Sequence, residues 1–134
     1  MPFIELGLGD IKEARSVPAD TYALQIENIF EKRNEEKNRD SIMVVINVMN
    51  PPAGIENPAP IFHYLSFPNS DDDKRNIDFF MLNLKRFLTV FNIPFEANGF
   101  DTEDLPGATG ECYVEEEEFE GSLKNVLRLP PLED

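Results

Sequence analysis

The sequence has no tryptophan, one cysteine and one histidine, and its 12 bases are outnumbered by 26 acids. A lone Cys112 leaves no partner for an internal disulfide, which is compatible with a reducing compartment. Cys112 and His63 alone cannot supply a zinc-ligand pattern. No run of eighteen apolar residues exists, so no membrane-spanning helix is expected. "MPFIELGLGD" (1–10) has no basic stretch ahead of an apolar one and does not read as a secretory signal. "GLGD" (7–10) lacks the preceding strand and the following Lys-Ser/Thr of a phosphate loop, and there is no Gly-x-Ser-x-Gly elbow. His63 alternates with Ile61 and Leu65, so it reads as a packed side chain rather than a general base. "DDD" (71–73) and "EEEE" (115–118) lack the spacing of a calcium loop. The chain is therefore expected not to be an enzyme, and to need neither metal nor cofactor.

What is present is enough for one domain. The chain has 134 residues, 41% of them hydrophobic, which can build a single core. The net charge of −14 argues against indiscriminate attraction to a polyanion. The charge is unevenly placed, however. "ECYVEEEEFEG" (111–121) is acidic throughout. The bases gather at Lys32, Arg33, Lys37 and Arg39, at Lys74 and Arg75, and at Lys85 and Arg86.

Hydropathy alternation marks the elements. In "TYALQIENI" (21–29), Tyr22, Leu24 and Ile26 fall on one face, which predicts a half-buried strand. The polar stretch 30–40 reads as a long hairpin loop. "SIMVVINVMN" (41–50) is β-branched and apolar on both faces, as a central strand should be. The proline-rich 51–60 reads as irregular and exposed. "IFHYLSF" (61–67) predicts a third strand, with Phe62 and Tyr64 on the face opposite Ile61, His63 and Leu65. Ser70 or an aspartate of 71–73 can cap a helix over about 74–92, where Ile77, Phe80, Met81, Leu84, Phe87, Leu88 and Phe91 form one apolar stripe. Pro94 ends it. A short helical turn capped by Asp101 is expected over 101–107, then strands at 109–116 and 123–129. Residues 1–16 read as a lead-in and 130–134 as a short acidic tail.

The order β-β-β-α-β-β, with the helix between the third and fourth strands, predicts a mainly β, five-stranded Greek-key barrel of the OB type. In such a barrel strands two and three present the binding face, and the first and last hairpin loops flank it. The basic first loop and an aromatic pair then converge on one groove. That combination suits single-stranded nucleic acid, whose bases stack on rings while cations meet phosphates. The candidate interface is Lys32, Arg33, Lys37, Arg39, Phe62 and Tyr64, joined by Lys74 and Arg75 before the helix.

"VPADTYALQIENIFEKRNEEKNRDSIMVVINVMNPP" (17–52), "LKRFLTVFNIP" (84–94) and "DTEDLPGATGECYVEEEEFEG" (101–121) together resemble small phage proteins encoded near recombination and replication genes. Several of those families are of unknown function; others are single-stranded DNA-binding proteins of the barrel class. The sequence departs from their pattern at Asn92, where glycine is usual, and at Pro106. The resemblance implies a sequence-tolerant single-stranded DNA-binding protein of phage replication or recombination, acting in the cytoplasm of an infected bacterium. The acidic C-terminus could then recruit replication or recombination proteins, and the oligomeric state is open. Two other expectations compete: a phage head-decoration or tail accessory protein, and an acidic mimic of DNA.

Overall fold

The structure is a computed structural model that describes residues 2–9, 11 and 13–133. It is mainly β, with a five-stranded antiparallel sheet and one helix. Strands β1 (Asp20–Asn34), β2 (Arg39–Val48) and β3 (Ile61–Ser66) precede helix α1 (Lys74–Val90). A two-residue hairpin, β4 (Phe95–Glu96) and β5 (Gly99–Phe100), and a 3-10 turn at Thr102–Asp104 follow, then β6 (Thr109–Phe119) and β7 (Ser122–Arg128). The sheet order is β3-β2-β1-β6-β7.

Period two decides the faces. Leu24, Ile26, Ile42, Val44, Ile46, Ile61, Leu65, Val114 and Leu127 are buried on one side and make the core with Phe87, Leu88 and Phe91 of the helix. The spacing from Ile26 to Ile29 breaks that period, and a bulge absorbs it. Ile26 pairs with Ile46 and Asn28 with Val45, so Glu27 is the extra residue. The bulge turns Ile29 back toward the core, where it packs opposite Val44.

Three expectations need correction. The polar stretch 30–40 is mostly strand, because β1 and β2 stay paired to Asn34↔Arg39 and leave only residues 35–38 as the turn. Here both faces are solvated, so no alternation marks the strands. The acidic run is also strand: β6 continues to Phe119 and turns at Glu120 and Gly121, both with positive φ. Lastly, the expected closed barrel is not found. β3 and β7 are the two edges of the sheet and share no ladder.

Helix α1 begins at Asp73, whose carboxylate accepts from the Asn76 N–H at 2.9 Å. It lies on the sheet only through its second half. Phe87, Leu88 and the C-cap Phe91 are buried, Ile77, Phe80 and Leu84 are half-buried, and Met81 is exposed. Gly110 of β6 makes the close approach possible, since a Cβ there would stand 2.2 Å from the Val90 carbonyl oxygen. Asp101 caps the short turn as expected, accepting from Glu103 N–H.

The lead-in is anchored at its end. Asn125 of β7 accepts from the Val17 N–H and donates to the Val17 carbonyl, both at 2.9 Å, and all of this is buried. Arg15 meanwhile bonds to Asn57 and Ala59 of the β2–β3 connection. Residues 15–17 therefore tie the segment before β3 to β7, the two sides of the open edge.

Candidate nucleic-acid interface

Cross-strand register builds the outward face of β1–β2–β3 in three rows. Met43 lies between Phe30 and Tyr64, Val45 between Asn28 and Phe62, and Ser41 between Lys32 and Ser66. Neighbouring residues in each row are about 5 Å apart. Phe62 and Tyr64 are 52% and 57% exposed and Phe30 is 45% exposed, while Ile61 and Leu65 are buried behind them. Aromatic rings side by side on a solvated sheet face, rather than scattered singly, are the mark of a contact surface.

At the free edge of β3 this platform opens into a cleft of about 460 Å³, lined by Met43, Phe62 and Tyr64 on one side and by Lys124, Asn125 and Val126 of β7 on the other. Lys124 is exposed and its ammonium stands 4.8 Å from the centre of the Phe119 ring. The platform therefore has a cation on each flank, Lys32 on β1 and Lys124 on β7.

The expected bases fall into three groups. Lys32, Lys37 and Arg75 are exposed and make no ion pair among the described residues. Arg33 bonds to Asp40 at 2.9 Å and to Asn38, and Lys74 meets Asp78 at 2.9 Å; these pairs are solvated and exchange cheaply for a phosphate. Arg39 is different. Its guanidinium makes a bidentate pair with Asp72, donates to the Phe67 carbonyl and lies 4.4 Å above the Phe80 ring. That hydrogen bonding holds Arg39 above its usual pKa and the Asp72 carboxyl below the usual carboxylate range. Arg39 is thus committed to the fold.

Lys124 and Met43 went unmarked in the sequence. Met43 was not legible, because β2 is apolar on both faces and its outward side is set by the pairing with Phe30 and Tyr64. Nor was Lys124, because its place at the cleft depends on β7 lying across from β3. A larger cavity of about 790 Å³ lies between residues 94 and 104. Glu96, Asp101 and Asp104 line it and no base does, so it is unsuited to a polyanion.

His63 turns inward. Its ring is stacked on Phe87 at 5.1 Å, and burial lowers its pKa to about 4. Cys112 is buried, and burial raises its thiol. Neither is placed to act on a ligand at the outward face. Among the described residues, no three His, Cys, Asp or Glu side chains come together in a metal-holding group. No helix among the described residues is long and apolar enough to cross a membrane. No protein-family model matches the chain, and no curated protein matches it.

Proposed function

We propose that the chain binds single-stranded DNA, without sequence preference, across the outward face of β1, β2 and β3. The observation that carries this is the set of open rings, Phe30, Phe62 and Tyr64, set on one flat face between Lys32 and Lys124. Rings stack on any base, and ammonium groups meet any phosphate, so the face reads strandedness rather than sequence. A duplex keeps its bases stacked on one another and offers nothing to the platform.

The strand order supports an OB-type reading of the fold. β3-β2-β1-β6-β7, with the helix between β3 and β6, is the order such a barrel has, and its two outer strands face one another across the cleft that Lys124 lines. The resemblance to small phage proteins near replication and recombination genes supports a role in coating single strands in an infected bacterial cytoplasm, with the acidic C-terminus as a contact for protein partners. Glu31, Glu35, Glu36 and Asp40 balance Lys32, Arg33, Lys37 and Arg39 at the β1–β2 end, so the reading rests on the open rings and the unpaired lysines rather than on a net positive surface. The DNA-mimic reading is weakened by Arg128, which pairs with Glu115 at 2.8 Å and Glu117 at 3.0 Å and so neutralises part of the acidic ladder.

The test is fluorescence anisotropy with a labelled oligo-dT long enough to cross the face, at low and moderate salt, with a duplex as control. Tight binding to the single strand that weakens with salt, and none to the duplex, is the expected result. No binding at low salt would overturn the proposal and favour a structural role.

A further inference from the structure

A third cavity, of about 250 Å³, lies between β3 and α1. His63, Tyr64, Leu65 and Ser66 line it from the strand, and Phe79, Phe80, Asn83 and Leu84 line it from the helix. Its volume is the room of about eight waters, which suits one flat heterocycle. Tyr64 also lines the cleft toward β7, so this cavity continues the platform past the strand edge.

The helix side is built like a receptor. Phe79 is 61% exposed, and the ring it contacts is Phe80, edge-on at 5.9 Å, which leaves a face of Phe79 open. Behind it, Phe80 is held by the Arg39 guanidinium, itself fixed by Asp72. Asn83, one turn on, donates its Nδ2 to the Phe79 carbonyl at 2.9 Å, and its Oδ1 has no donor among the described residues. Arg75 precedes Phe79 by one turn, so Arg75, Phe79 and Asn83 share a stripe at i, i+4 and i+8. The open ring of Phe79 and the free amide acceptor of Asn83 therefore line a cavity of base size, Tyr64 stands at its strand edge, and the unpaired Arg75 lies one turn of α1 before Phe79.

We infer that this cavity takes one unpaired nucleobase, stacked on Phe79 with its edge toward Asn83 and the adjoining phosphate toward Arg75. The inference rests on the single-stranded DNA reading above. It makes α1 part of the binding surface and gives the strand a turn at the edge of β3. An amide acceptor meets an N–H on any of the four bases, so the pocket adds affinity and not sequence preference.

The test uses the full chain and oligo-dT carrying one 2-aminopurine, read by anisotropy and by the fluorophore's stacking-dependent quenching. Phe79→Ala is expected to weaken binding about tenfold, the effect of one lost base stack, and to relieve quenching. Phe79→Tyr should restore both and Phe79→Leu should restore neither, which separates stacking from simple burial. Arg75→Ala should lower the salt slope by about 0.7. Circular dichroism checks that each variant is folded. If Phe79→Ala and Arg75→Ala bind as the parent does while Phe62→Ala weakens binding, the pocket is empty and the inference falls, but the platform stands. If the parent chain binds no oligo-dT at all, both fall together.

Discussion

Arg39 and Asp72 face each other as a bidentate pair, at 2.8 and 2.9 Å, joining the start of β2 to the segment that leads into α1. The carboxylate also accepts from the Asn69 N–H. One ion pair thus sets the entry of the helix, the position of Phe80 beneath the guanidinium, and the shape of the cavity at the edge of β3.

Arg39→Ala should therefore act on the fold rather than on phosphate. It is expected to lower the melting temperature while leaving the salt slope of oligo-dT binding unchanged. Asp72→Ala should be at least as damaging, because it leaves a half-buried cation without its partner. A reduced slope in Arg39→Ala would return that residue to the interface.

The free cations should behave the opposite way. Lys32→Ala combined with Lys37→Ala is expected to keep the parent melting temperature, since both side chains are exposed. The double variant should lose about 0.7 of salt slope for each phosphate contact removed. Titrations at three or more salt concentrations give the slope directly, and an unchanged value would take the β1–β2 turn out of the site.

Gly110→Ala should be costly. The added methyl would meet the Val90 carbonyl oxygen at 2.2 Å and the Phe91 Cα at 3.2 Å, and both are backbone atoms at the helix end. Overpacking of this kind costs about 3 kcal/mol, which corresponds to a fall of roughly 10 °C in melting temperature for a chain this size. A melt within a degree or two of the parent would mean the helix shifts freely on β6.

His63 makes stability depend on acidity. Its imidazole is neutral in the folded protein, with a pKa lowered from 6.5 to about 4 by burial. Between those values the unfolded chain binds a proton that the folded chain does not. Stability is therefore full above pH 6.5, falls as pH drops toward 4, and loses about 3 kcal/mol from this residue by the end of that window. His63→Phe should remove the dependence. Urea midpoints at pH 7 and pH 5 for both proteins provide the comparison, and equal falls would assign the effect to other groups.

The elements differ in how openly the sequence states them. Strands with one wet face are legible, because alternation at Tyr22, Leu24 and Ile26 follows from which side is buried. The ends of β1 and β2 are not, because beyond Phe30 both sides meet water and only backbone pairing marks a strand. The helix is half legible. Its stripe names the apolar side, yet at about 25 Å the helix outreaches the surface it rests on, so Met81 and Phe79 remain uncovered. The site follows the same logic. The spacing of Phe62 and Tyr64 sets them on one face of β3, but the strand is apolar on both faces. Which face meets water follows only from the helix packing behind it, and Lys124 and Phe79 likewise gain their meaning from which elements become neighbours.

The bond between Asn125 and Val17 joins groups 108 residues apart in the chain. Closing a loop of that length is entropically costly, so the bond is expected to form late in folding and to break early in its reversal. Asn125→Leu should then accelerate unfolding while hardly slowing refolding. The clasp thus serves as a kinetic latch, setting how long the folded chain persists more than how fast it is reached.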